Sequence, residues 1–178
     1  MVYEKRETKP KKLFKYLDKT KVDEMLERAR ADNKRNYLII MTFWRTGMRN
    51  SDIRLITKRD VKLDQITIRQ GKGHKDRIIP IDNTLADLLM YHSANMAMDD
   101  LLFPYSDMTF RNITHKYQGD ESVHPHKLRH SFAVFYLKSG GNLRSLQKIL
   151  GHTSLETTDI YLDLIAEDIK DDYKKLKF

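Results

Sequence analysis

The dense apolar run from Tyr37 to Arg45, which closes on Gly47, constrains this chain more than any other feature of its sequence. The run is too long for a typical strand, so it reads as a buried helix stopped by a glycine cap. A helix that is apolar on every side has to be surrounded by protein. A chain of 178 residues can do that with one core, and Ile40, Met41, Phe43 and Trp44 are expected to be its centre.

The rest of the chain supplies the wrapping. Thr20 followed by Asp23 fits a helix start, and Val22, Met25, Leu26 and Ala29 recur at helical spacing, which predicts a helix near residues 21–31. Ser51 to Ile56 reads as a short helix. Gln65 to Arg69 and Arg77 to Ile81 show β-branched alternation on either side of the turn Gly71 to Gly73, a β-hairpin pattern. Helical patterns follow at 83–92, 106–117, 126–139, 143–150 and after Glu167, separated by Pro104, Pro125 and Gly140-Gly141. Leu128, Phe132 and Phe135 are spaced as a buried stripe. The predicted class is mainly α with a small antiparallel β-sheet (α+β), without internal repeats.

Residues 1–19 are rich in Lys and Arg, include Pro10, and show little periodicity before Leu13, so they read as a basic arm or linker remnant ahead of one domain at 20–178. Lys9, Lys11, Lys12 and Lys15 fit a solvated tail and phosphate contacts equally well. A tail helix at about 164–178, with Ile165, Ile169, Tyr173, Leu176 and Phe178, has the mixed pattern of a segment that docks on its own or a neighbouring subunit.

Cysteine is absent, which excludes disulfides, thiolate zinc sites and a cysteine nucleophile, so catalysis has to use oxygen and nitrogen groups. No apolar run approaches bilayer length and Met1 opens no signal-peptide pattern, so a soluble, cytoplasmic, DNA-associated protein without membrane contact is expected. The net charge of +8 favours a polyanionic partner, nucleic acid before acidic membrane surfaces.

Five places collect unusual polar residues: Arg49 with Asp52, Lys72 in the hairpin turn, His126 with Arg129, His152, and Tyr161. They lie in the segments TGMRNSDIRLITKRDV, GKGHKDRIIPI, HPHKLRHSFAVFYLKSG and LQKILGHTSLETTDIYL, from about residue 46 to 162. In this order, and with His152 nine residues before Tyr161, they resemble the tyrosine site-specific recombinases of the phage integrase and Xer-like type. A lone H-x-x-R or G-K-G arises often by chance, whereas five such features in one order rarely do.

The resemblance implies the recombinase catalytic-domain fold and cleavage of DNA through a 3′-phosphotyrosine at Tyr161. Arginine forks suit phosphate, because they donate two hydrogen bonds and stay charged, so Arg49 and Arg129 are the expected clamp. His126 and Arg129, three apart at a helix start, project from one face beside its positive end. A phenol with a pKa near ~10 needs a proton acceptor or a strongly positive site, and His126 is the candidate acceptor. By resemblance, Lys72 on the hairpin tip protonates the departing 5′ oxygen, His152 donates to the phosphate, and Asp52 braces the site. No ATP, metal or other cofactor is implied. His124, His126 and His130 have ligand-like spacings, but Arg129 in their midst would repel a cation. His130 is expected to be structural.

The resemblance further implies double-stranded DNA as partner, a tetramer on two synapsed duplexes, and either integration and excision or dimer resolution as the outcome. Family members usually carry a separate helical DNA-binding domain ahead of the catalytic one. Here either the chain is a fragment whose partner domain has been removed, or it is a solitary catalytic domain. Two rival readings share these residues: a type IB topoisomerase-like nicking and rejoining enzyme, and a non-catalytic DNA-binding relative.

Overall fold

The computed structural model of the chain describes residues 15–69, 76–151, 161–163 and 165–166. Two helices open the fold: α1, Lys19–Asp32, and α2, Lys34–Thr46. Asp18 caps α1, accepting from the Lys21 amide at 2.9 Å. The helix therefore starts ahead of the Thr20 signal, because the carboxylate two residues earlier satisfies the first-turn amides. Val22, Met25, Leu26 and Ala29 form its buried stripe as their spacing predicts. Leu17, assigned from sequence to the arm, also lies in the core, and its amide donates to Ser131 Oγ at 2.8 Å.

α2 is the central element. It packs against α1, α5, α6 and α4, and Ile39, Ile40, Met41, Phe43 and Trp44 are buried on it. Gly47 ends it with φ +60°, and a Cβ there would stand 2.5 Å from Phe132 Cδ1 and 2.8 Å from Leu150 Cδ2. Glycine is required twice over: by the left-handed backbone and by two side chains from other helices that close on it.

The short helix α3, Asn50–Ile53, and a 3-10 turn at Lys58–Asp60 follow. Next come strands β1, Gln65–Ile68, and β2, Arg77–Pro80, paired antiparallel with Ile66 opposite Ile79 and Ile68 opposite Arg77. Ile66, Ile68 and Ile79 face the core, and Ile78 faces out. The hairpin tip, with Lys72 and Lys75, lies outside the described residues.

Helices α4, Asn83–His92; α5, Asp107–Lys116; α6, Pro125–Lys138; and α7, Leu143–Leu150 complete the described fold. Asp82, Ser106, His124 and Asn142 cap them. Leu128 and Phe132 are buried on α6, but Phe135 is 38% exposed. By its third turn the buried face of α6 has rotated away, and Phe135 lies at the edge of the core against the Trp44 ring, with centroids 5.2 Å apart. Residues 161–163 are helical. The arm up to residue 14, His152 and the tail from residue 167 lie outside the described residues. Among the described residues, no helix is long and apolar enough to cross a membrane.

Candidate active site

The C-terminal end of α7 organises the site. A helix end leaves carbonyl oxygens without intrahelical donors and carries partial negative charge. Three consecutive carbonyls there accept from three arginines of other elements: Ile149 from Arg77 Nε at 3.2 Å, Leu150 from Arg129 Nη2 at 2.8 Å, and Gly151 from Arg49 Nη2 at 3.2 Å. Sequence positions 49, 77 and 129 are thus gathered onto one spot by backbone oxygens.

Arg49 stands at the N-cap of α3. Its amide donates to Asp52 Oδ2 at 3.0 Å, and the same oxygen accepts from Arg77 Nη2 at 2.6 Å. Asp52 is buried, so its charge is held by these donors. Arg49 Nη1 is buried with no hydrogen-bond partner among the described residues. A shielded guanidinium nitrogen without an acceptor is what an anion-binding cradle requires. Burial lowers the Arg49 pKa below the ordinary arginine value, with Asp52 opposing and Arg77 adding to the effect.

Arg129 is more deeply set, 4% exposed, and also donates from Nη1 to Gly47 O at 2.5 Å. Burial, followed by the Arg49 charge, pushes its pKa down to about 10, which still leaves it cationic at neutral pH. Gly47 and Leu150 meet sterically at the end of α2 and accept from the same guanidinium. The glycine that terminates α2 therefore also seats Arg129.

The three histidines of α6 have separate roles. His124 is the N-cap, its Nδ1 accepting from the Lys127 amide at 3.2 Å. His126 is exposed on the first turn, and desolvation, then the Arg129 and Arg49 charges, hold its pKa below the ordinary imidazole value. His130, expected to be only structural, is the histidine whose Nδ1 meets the Tyr161 hydroxyl, at 2.9 Å. Burial pushes its pKa down to about 4, so its ring is neutral at pH 7. Among the described residues no three His, Asp or Glu side chains cluster as metal ligands.

Tyr161 is 2% exposed and packs into the core. Burial raises its pKa, while Arg129 and then Arg49 pull it back, so the phenol lies within electrostatic reach of both guanidinium groups. Of the residues singled out from sequence, Arg49, Asp52, Arg129 and Tyr161 come together, with His126 one turn away on α6. Lys72 and His152 fall outside the described residues. Sequence reasoning did not single out Arg77 or the His130 contact. Arg77 does lie within the GKGHKDRIIPI segment, in phase with the inward-facing Ile79, and that was the only available signal.

The fold and site define a mainly helical domain in which two arginines converge on the end of α7, within electrostatic reach of a tyrosine hydroxyl. The phage integrase family model matches residues 15–167. The tyrosine recombinase XerA of Thermococcus kodakarensis is 34% identical over 182 residues, covering 94% of this chain and 64% of its own length. The chain thus spans less than two thirds of that relative. The catalytic domain of bacteriophage HP1 integrase superposes with a TM-score of 0.68 at 26% identity, covering 90% of this chain and 94% of that one. The XerH site-specific recombinase, in a pre-cleavage complex with its difH substrate, superposes with a TM-score of 0.71 at 26% identity, covering 87% and 52%. The chain belongs to the phage integrase family.

Proposed function

We propose that this chain is the catalytic domain of a tyrosine recombinase, which cleaves and rejoins double-stranded DNA at specific sites through a phosphotyrosine at Tyr161. The observation that carries this reading is the convergence of Arg49 and Arg129 on the end of α7, with Tyr161 within electrostatic reach of both and Arg49 Nη1 buried and lacking an acceptor among the described residues. A phosphate oxygen supplies that acceptor. The DNA-bound XerH complex, whose fold this chain shares, supports the choice of substrate.

In the reaction, the Tyr161 phenol oxygen attacks phosphorus, the bond to the 5′ oxygen breaks, and the DNA 3′ end becomes a phosphotyrosyl ester. The phenol gives up its proton and the departing 5′ oxygen takes one. Arg49 and Arg129 neutralise the charge that builds on the non-bridging oxygens, the largest contribution that fixed donors can make to phosphoryl transfer. His126, exposed on the first turn of α6, serves as the proton acceptor or as a further phosphate donor. By family resemblance, Lys72 protonates the 5′ oxygen and His152 donates to the phosphate. A 5′-hydroxyl from a second strand then attacks the ester, so phosphodiester energy is retained and neither ATP nor metal is needed. Exchange between two duplexes requires four protomers, and a separate DNA-binding domain would complete the grip on DNA.

The test is adduct formation. The protein is incubated with a library of nicked suicide duplexes carrying randomised arms, and covalent complexes are recovered from denaturing gels and sequenced. A defined duplex that yields an adduct with the wild type and none with Tyr161→Phe is the expected result. DNA binding without an adduct would leave only a binding module. Relaxation of arbitrary supercoiled DNA without site preference would indicate a topoisomerase.

A further inference from the structure

We propose that Arg77 is a positioning residue for strand cleavage, holding Arg49 in register with the phosphate through Asp52 and the last carbonyls of α7. The inference rests on the recombinase reading above.

Arg77 opens β2 and points inward, with its side chain 12% exposed. Its two ends are committed: Nη2 to Asp52 Oδ2 at 2.6 Å and Nε to Ile149 O at 3.2 Å. It also lies flat on the end of α7. A Cβ at Gly151 would stand 3.0 Å from Arg77 Nε and 3.1 Å from its Cδ, and Gly151 has φ +64°. Glycine there accommodates both the turn and the guanidinium.

Arg49 has two supports. Its main chain is tied to Asp52 Oδ2, and its guanidinium to Gly151 O. Arg77 touches both, since it shares the Asp52 oxygen and grips the α7 end two residues before Gly151. Removing its guanidinium leaves Asp52 buried without its cationic partner and releases one of the contacts that fix residues 149–151. A lysine can pair with Asp52, but it lacks the planar fork that reaches the Ile149 carbonyl at the same time. The consequence falls on alignment in the transition state, where small displacements of a phosphate donor are costly. Ground-state DNA affinity, distributed over many phosphate contacts, is largely spared.

The test uses the duplex selected through its adduct, with Arg77→Lys and Arg77→Gln variants of the full chain. The expected result is a single-turnover cleavage rate lower by about 10- to 100-fold, with DNA affinity and, for Arg77→Lys, the unfolding midpoint close to wild type. A second duplex carries sulfur in place of the bridging 5′ oxygen at the cut, a leaving group that departs without being protonated. A defect that persists on the sulfur duplex is expected if Arg77 acts through Arg49. Restoration to the wild-type rate on sulfur would overturn the proposal, since Arg77 would then be serving the proton donor. Unchanged cleavage by both variants on the oxygen duplex would overturn it as well. Should Arg77→Gln fail to fold, Asp52→Asn combined with Arg77→Lys replaces it, with a double-variant defect no larger than the greater single defect expected and fully multiplicative defects counting against the coupling. Wild-type protein that forms no adduct would remove the recombinase reading itself.

Discussion

The Tyr161 hydroxyl lies 2.9 Å from Nδ1 of His130, one helical turn beyond His126, the candidate proton acceptor. The described contact holds the phenol and does not activate it. Burial raises the Tyr161 pKa above 10.0 and lowers that of His130 to about 4. Both shifts disfavour moving the proton from the phenol to the imidazole. The two groups therefore meet as a neutral hydrogen bond, with the phenol protonated.

That burial makes stability depend on pH. An imidazole with its folded pKa below the unfolded 6.5 binds fewer protons in the folded state, so stability is fully present above 6.5 and falls as the pH drops toward about 4. The whole shift corresponds to about 3 kcal/mol. Urea midpoints measured at pH 7 and pH 4.5 are expected to fall less in His130→Gln than in wild type. His124 and His126, also shifted down, leave a residual slope. Identical losses in the two proteins would rule out this role for His130.

Arg49→Lys and Arg129→Lys are each expected to slow single-turnover cleavage by about 100- to 1,000-fold, the usual effect of removing one well-placed transition-state donor. An ammonium cannot reproduce the bidentate fork or reach two carbonyls as Arg129 does at Gly47 and Leu150. Filter binding at fixed salt separates this loss from affinity, which many other phosphate contacts sustain. Affinity collapsing in step with the cleavage rate would contradict the assignment.

Gly47→Ala is expected to destabilise the fold by about 1–3 kcal/mol through its left-handed backbone alone, and by more through the Cβ approach to Phe132 and Leu150. Because Gly47 O seats Arg129, cleavage by the surviving folded fraction is expected to fall too. A urea titration followed by an adduct assay at matched folded protein checks both effects. Wild-type stability would mean that α2 ends differently in solution.

Asp60 is buried and accepts from the Thr57 amide at 2.9 Å, Thr57 Oγ1 at 2.7 Å and Arg69 Nε at 2.6 Å. Burial alone would raise its pKa, but the Thr57 and Arg69 hydrogen bonds hold it below the ordinary carboxylate value. Its contribution is therefore present above the unfolded value near 3.8 and is lost as pH falls through the lower folded value. Asp60→Asn is expected to cost about 1–3 kcal/mol at pH 7, because it removes the ionised acceptor that joins the 3-10 turn to the end of β1. Chemical denaturation at pH 7 measures it, and a loss near zero would show the ion pair to be incidental.

Local chemistry along the chain was enough to specify much of this protein. The apolar run ending in Gly47 defined α2, the stripe from Val22 to Ala29 defined α1, and the residues around Arg49, Arg129 and Tyr161 indicated phosphate chemistry, because helix periodicity, caps and side-chain charge are properties of short segments. What pairs across the chain was settled only by folding. Asp18 displaced Thr20 as the α1 cap, Phe135 rotated out to the edge of the core, Arg77 reached Asp52 and Ile149, and His130 met the Tyr161 hydroxyl. The physical reason is that the end of α7 is a set of backbone carbonyls, which every sequence possesses. Only the packing of α2, α6 and β2 around α7 turns three of those carbonyls into the anchor for three arginines.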